Sequence, residues 1–143
     1  MKKYLDQDFS VSRISGEMLN VNPHISSTAV RHQALDIMGW IKAANTDCFV
    51  IMQHQPSQET LNDLYDFHME TSSQVALLGG ELSLMTHLIP LLSERGIYSL
   101  IATTERVVEE IPQEDGSIVT KRTFKYVQLR CVGSPVLDLP SNI

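Results

Sequence analysis

The chain has 143 residues, of which 43% are hydrophobic, and its formal net charge at pH 7 is −6. This length predicts a single domain with an ordinary hydrophobic core. The negative charge argues against a long nucleic acid as a partner, because proteins that bind duplexes present basic faces. It leaves room for a small anionic ligand, which one local cluster of donors can hold.

The sequence predicts a cytoplasmic protein that has no membrane span, metal or cofactor. It shows no signal-peptide pattern and no apolar run of about 18 residues. The two cysteines, Cys48 and Cys131, fall in apparent strands and are interpreted as small buried hydrophobes, since neither zinc-ligand spacing nor a disulfide framework is present. The five histidines have no convincing metal-ligand spacing either.

Residues 1–46 predict an N-terminal arm followed by a helix. The first 23 residues are weakly periodic, whereas apolar side chains from Val30 onward recur at helical spacing and predict a helix at about residues 27–44. Ser26 or Ser27 is the expected cap. Trp40, near the apolar stripe, is interpreted as a core residue or a dimer contact.

Residues 47–104 predict a parallel α/β core. Three apolar segments have the composition of strands buried on both faces: residues 47–53, 75–78 and 97–102. Helical patterns at about residues 58–69 and 82–95 connect them, and such crossovers produce parallel strand pairs.

Local signals mark the ends of these two helices. Ser57 is a predicted N-cap with Glu59 in the first turn, and Gly96 is a predicted C-cap glycine. Pro90 leaves two alternatives for the second helix, a kink or a start late enough to place the proline in the first turn.

Residues 105–132 predict a β-hairpin, and residues 133–143 predict an extended tail. Asp115-Gly116 is a strong turn signal between two strand-like segments. On the return strand Lys121 and Lys125 are expected on one face, and Arg122 and Arg130 on the other. These charges protect an edge strand or give it a basic binding surface. The whole pattern predicts an α/β fold with a Rossmann-like three-layer core of parallel strands, an N-terminal helix and a C-terminal hairpin.

Polar residues follow each predicted parallel strand at its carboxyl end, where ligands bind in open sheets. His54 follows the first strand and is a candidate for proton transfer, or a turn residue that caps local backbone. Gly79-Gly80 follows the second strand and matches neither a P-loop nor a dinucleotide fingerprint, so it indicates a ligand contact or close strand–helix packing. Residues 103–106 follow the third strand and are interpreted either as a cluster of donors for an anion or as an ordinary polar turn.

The succession of these motifs resembles a known family. It consists of Gln53-His54 after a strand, Ser57 and Glu59 opening a helix, Gly79-Gly80, Gly96-Ile97, and a strand that leads through Ala102-Thr103-Thr104-Glu105-Arg106 into the hairpin. This resembles the small CRISPR-associated ring-nuclease-like proteins, whose Rossmann-type core is akin to CARF domains. It is also similar to a set of bacterial proteins with the same ending.

The resemblance implies a homodimer that binds a cyclic oligoadenylate second messenger across its two-fold axis. Some such proteins cleave the ring without a metal, by attack of a ribose 2′-hydroxyl on the adjacent phosphodiester. The ligand-lining residues carried over are Gly79, Gly80, Thr103, Thr104 and Arg106. His54 and Ser57 would lie nearby as catalytic residues, with His54 suited to proton transfer near neutral pH.

Two further hypotheses remain at this point. One is a non-catalytic nucleotide-binding protein that acts as a sensor or as a sponge for the signal. The other is a structural or assembly protein that uses the hairpin and holds no small ligand.

Overall fold

The computed structural model describes residues 21–44, 46–53 and 56–136. Three predicted features lie outside these residues: the first 20 residues of the N-terminal arm predicted at residues 1–23, the candidate His54, and the end of the tail from residue 137. The elements in chain order are α1 (Ser27–Ala43), β1 (Cys48–Ile51), α2 (Gln58–Thr71), β2 (Val75–Leu78), α3 (Leu82–Glu94), β3 (Tyr98–Pro112) and β4 (Ile118–Gly133).

The helix ends follow from local capping. The hydroxyls of Ser26 and Ser57 accept hydrogen bonds from backbone N–H groups in the first turns of α1 and α2, which satisfies donors that have no partner inside the helix. The predicted N-cap at Ser57 is therefore confirmed, and of the two serines proposed for α1 the N-cap is Ser26. At the end of α3, Gly96 has φ +80, and the N–H of Ile97 donates to the carbonyl of Leu92 at 2.9 Å. This is the Schellman arrangement that a C-cap glycine permits.

Pro90 lies well inside α3, so the alternative of a late helix start is wrong. Proline has no N–H to donate to the carbonyl of Thr86, one turn earlier. The Thr86 hydroxyl itself donates to the carbonyl of Leu82 at 2.8 Å.

The fold is a mixed α/β arrangement around one sheet of four strands in the order β1-β2-β3-β4. The first three strands are parallel, which confirms the predicted core, and β4 pairs with β3 in the antiparallel sense. Every residue of β1 and β2 is buried. Continuous apolar runs are required because helices cover both faces of these two strands.

Alternate residues of the parallel strands enter two separate clusters. Phe49, Ile51, Ala76 and Leu78 pack with residues of α1 and α3 on one face. The other face belongs to α2: Cys48, Val50, Val75, Leu77 and Leu100 pack with its Leu61 and Leu64. Each large side chain buried in this way contributes about 1.5–3 kcal/mol.

The helices α2 and α3 thus lie on opposite faces, although the chain advances in the same direction from β1 to β2 and from β2 to β3. The two crossovers therefore have opposite hands, and one of them has the left-handed sense that parallel connections rarely adopt. The connections that leave the neighbouring strands β1 and β2 must consequently diverge to opposite sides of the sheet.

The third strand does not end where the sequence predicts. The expected boundary at Ala102 is wrong, because β3 continues without a break to Pro112 and residues 103–106 are part of it. Backbone pairing with β4 supports this extension along its whole length. Beyond the parallel core the two strands form a ribbon made of residues 104–112 and 118–126. This ribbon is called the arm below and is distinct from the predicted N-terminal arm.

Two bulges on β4 alter which side chains share a face. Val127 and Val132 each stand as an extra residue between consecutive pairs of the ladder. Arg130 pairs with Ile101 and therefore lies on the same face as Lys121 and Lys125. The sequence predicts it on the opposite face, with Arg122, and that prediction is wrong. The shift at Val127 is the cause.

Cys131 is exposed, so its predicted burial is wrong, whereas Cys48 is buried as expected. The difference arises because β4 is the outer strand of the described sheet and no helix covers Cys131 as α2 covers Cys48.

Candidate ligand site at the carboxyl edge of the sheet

The connections that follow β1 and β2 leave the carboxyl edge of the sheet toward opposite faces. Residues 52–53 follow β1, and the chain continues at residues 56–57 into α2 on one face, whereas residues 79–81 lead to α3 on the other. Open α/β sheets bind their ligands outside the carboxyl ends of the strands, where neighbouring connections diverge to opposite faces. The site predicted from the sequence belongs to this edge.

The glycine pair lets the first connection pack closely against the second. A Cβ on Gly79 would lie 2.9 Å from Cε of Met52, and a Cβ on Gly80 would lie 3.4 Å from Cγ of Gln53. Gly80 also has φ +145, a conformation that other residues rarely adopt. Close packing was one of the two interpretations of the pair, and the contact is with the loop after β1. Gly80 and Gln53 are exposed at the surface of this contact.

The helix N-termini at this edge are occupied by their own side chains. Ser57 Oγ accepts from the N–H of Thr60 at 3.2 Å and lies 2.7 Å from the Thr60 hydroxyl. The carboxylate of Glu81 accepts from the N–H of Leu84 at 3.0 Å and from the hydroxyl of Ser83. The Ser83 hydroxyl, followed by the Leu84 N–H, lowers the pKa of Glu81. A carboxylate therefore sits at the N-terminus of α3, where an anion would otherwise meet the helix.

The two threonines of β3 point to opposite faces of the sheet. Thr103 lies on the α3 side, and its hydroxyl donates to the carbonyl of Gln128 at 2.9 Å. Thr104 and Arg106 alternate onto the α2 side, and both are exposed. The structure thus brings Thr104 and Arg106 to the face on which Ser57 opens α2, and separates them from Thr103. The catalytic roles of His54 and Ser57 stay predictions.

A tyrosine that no sequence motif indicates connects β4 to α2 by a hydrogen bond. Tyr126, the cross-strand partner of Thr104, donates its hydroxyl hydrogen to Oδ2 of Asp63 in α2 at 2.6 Å. Burial raises the pKa of Tyr126, and the hydrogen bond to Asp63 and the charges of Asp63 and Glu59 raise it further. No local motif marks this pair, because their contact depends on the bulge at Val127 and the placement of α2.

Among residues 21–44, 46–53 and 56–136 no group of three His, Cys, Asp or Glu side chains could hold a metal ion. Within the same residues no helix has the length and apolarity needed to cross a membrane.

These observations define a mixed α/β protein whose connections lead to opposite faces at the carboxyl edge and which carries a projecting two-stranded arm. The chain belongs to the uncharacterized protein MJ1673 family, whose model matches residues 51–130, more than half of the sequence. The matched region begins at the last residue of β1 and includes the glycine pair, the extended β3 and most of β4. Neither the curated proteins nor the solved structures contain a significant match.

Proposed function

We propose that this protein binds a cyclic oligoadenylate at the carboxyl edge of its sheet and acts in CRISPR-type antiviral defence in the cytoplasm. The proposal includes a Rossmann-like three-layer arrangement and a homodimer, as in the ring-nuclease-like proteins that the sequence resembles. The observation that carries it is that the connections after β1 and β2 lead to helices on opposite faces of the sheet. Open α/β sheets bind ligands at the edge where connections separate in this way, and the resembling motifs fall at the same edge.

The chemistry of the edge suits a ribose phosphate ligand. Arg106 offers a guanidinium fork for phosphate oxygens, and the exposed hydroxyl of Thr104 lies on the same face. A ligand would meet the exposed main chain of Gly80 beside Gln53, whereas the side chain of Met52 fills the space next to Gly79. Because Glu81 fills the N-terminus of α3, phosphates would bind toward Arg106 and away from that helix.

Cleavage is the second part of the proposal and needs no metal. The ribose 2′-oxygen attacks phosphorus, a bond between O2′ and phosphorus forms, and the bond from phosphorus to O5′ breaks. His54 takes the proton of the 2′-hydroxyl, and the leaving 5′-oxygen acquires a proton. The products are linear adenylates that end in a 2′,3′-cyclic phosphate. Ser57 would help to orient the ribose from the first turn of α2.

The test is incubation of the full chain with cyclic tri-, tetra- and hexa-adenylate in EDTA, with chromatography of the products and thermal shift in parallel. Products with a 2′,3′-cyclic phosphate would establish a metal-independent nuclease. A thermal shift without products would establish a sensor or a sponge. If no ring either shifts the protein or is cleaved, the proposed function is wrong.

Two threonines provide a matched control for the site. Thr104→Val should weaken binding about tenfold, the loss expected for one hydrogen bond worth about 1.4 kcal/mol. Thr123→Val makes the same change at an exposed arm position on the opposite face and should leave binding unchanged. Equal loss in both variants would contradict the placement of the site. His54→Ala should abolish cleavage while binding stays measurable.

A further inference from the structure

The arm stands clear of the rest of the described protein. Every residue from 108 to 125 is exposed, and among the large apolar side chains of the arm the most exposed are Val108 at 53%, Ile118 at 60% and Phe124 at 73%. A two-stranded ribbon without further packing is only marginally stable in water. Val108 and Phe124 are diagonal neighbours across the ribbon, and adjoining exposed apolar side chains favour an interaction site.

The two faces of the arm differ in chemistry. On the α3 side two acidic residues stand directly opposite two basic ones, Glu105 with Lys125 and Glu109 with Lys121. Such opposed charges suit a face turned to solvent. Val108, Ile118 and Phe124 all lie on the α2 side, which is called the apolar face below. The charges along both strands also discourage other strands from adding to the edges of the ribbon.

We infer that the apolar face of the arm is the contact surface for a second copy of this chain. A two-fold contact needs a surface that is complementary to itself. On this face Arg106 and Glu110 stand two residues to either side of Val108, so an axis through Val108 places Arg106 of each copy against Glu110 of the other. Arg122, the cross-strand partner of Val108, belongs to the outer strand, from which its long side chain reaches solvent.

This arrangement rests on the homodimer of the proposed function, gives that homodimer its contact surface, and needs no nucleotide. The two arms run in opposite directions across the axis, and each arm is about 27 Å long from residue 104 to residue 112 at about 3.4 Å per residue. The end of one arm, at Pro112 and Ile118, therefore lies toward the exposed Thr104 of the second copy. Each carboxyl-edge site is then completed by the arm of the other copy.

The first test compares two valines of nearly equal exposure on opposite faces. Val108 is 53% exposed on the apolar face, and Val119 is 49% exposed on the other. The full chain without nucleotide should sediment as a dimer in analytical ultracentrifugation. Val108→Lys should sediment as a monomer with an unchanged far-ultraviolet circular dichroism spectrum, and Val119→Lys should stay dimeric. A monomeric natural chain at every concentration tested, or a dimer that survives Val108→Lys, would overturn the inference.

A charge reversal tests the position of the axis. Arg106→Glu and Glu110→Arg should each raise the dimer dissociation constant at least tenfold, because each places like charges in contact twice. The double variant restores both pairs across the axis and should dimerise within a few-fold of the natural chain. Because Arg106 and Glu110 of one chain are about 14 Å apart, at about 3.4 Å per residue, restoration cannot arise within a single arm. A double variant weaker than either single variant would show that Arg106 and Glu110 do not meet.

Discussion

The hydrogen bond from Tyr126 to Asp63 is expected to hold the base of the arm against α2. Its oxygen–oxygen distance is 2.6 Å, the acceptor is a carboxylate, and both residues are partly buried. Hydrogen bonds to charged groups contribute about 1.5–3 kcal/mol. Because partial exposure weakens the interaction, Tyr126→Phe should lower the free energy of unfolding by about 1–2 kcal/mol. The melting temperature of a chain of this size should fall by about 3–6 °C.

The assay is urea denaturation of the natural chain, Tyr126→Phe, Asp63→Asn and the double variant. The cycle should give a coupling of about 1 kcal/mol, since each single change removes the same contact. Tyr98→Phe is the matched control, because Tyr98 is also partly buried in this strand pair and its hydroxyl has no hydrogen-bond partner in the described structure. Additivity within about 0.5 kcal/mol, or an equal loss in the control, would refute the argument.

The same tyrosine makes stability depend on pH in the alkaline range. Its pKa in the folded protein is raised above the ordinary value of 10.0, so its contribution is complete below pH 10 and is lost as the pH rises toward the folded value. Denaturation midpoints measured above pH 10 should therefore decline more steeply for the natural chain than for Tyr126→Phe. Parallel declines would contradict this explanation.

Three further substitutions test packing and capping. Gly133→Ala should destabilise the protein by about 1–3 kcal/mol, because the new Cβ would lie 2.7 Å from Cγ2 of Ile89; thermal denaturation measures this, and no loss would contradict the close approach. Ser99→Ala should be neutral or stabilising by up to about 1 kcal/mol in the same assay, since the buried Ser99 hydroxyl has no hydrogen-bond partner among the described residues, and a clear loss would reveal one. Glu81→Gln should flatten the dependence of stability on pH below 4.5. The pKa of Glu81 in the folded protein is lowered from that value, so the contribution of its carboxylate is lost as the pH falls through the folded pKa. An unchanged pH dependence of stability would show that the hydrogen bond from the Leu84 N–H to Glu81 contributes nothing.

Local signals in the sequence predict the parallel core well. The strand at residues 75–78, the cap at Ser57 and the glycine at the end of α3 each depend on a few neighbouring residues, and the structure confirms them. The sequence does not indicate the true end of β3, because Thr103-Thr104 resembles a polar boundary, whereas pairing with β4 keeps the strand extended. Threonine favours strands, so the polarity of these residues was a poor guide to a boundary.

The candidate site was harder to predict than the core. The sequence places its polar residues at one edge, but the side of the sheet on which each residue lies depends on strand alternation and on the hands of the crossovers. Thr103 and Thr104 are neighbours in the chain and lie on opposite faces for that reason. Tyr126 and Asp63 are 63 residues apart, so only the folded structure brings them together.

Val127 has a consequence for how this protein can change over evolutionary time. It pairs with no residue of β3, and its removal would leave the partners of Tyr126 and Gln128 as they are. The bend that it introduces would be lost, however, and the arm would leave the body in another direction. A gain or loss of one residue at this point therefore changes the direction in which the arm projects, while the residues on the surface of the arm stay the same. Among related chains, we expect differences in length here to alter how two molecules meet more than most side-chain replacements do.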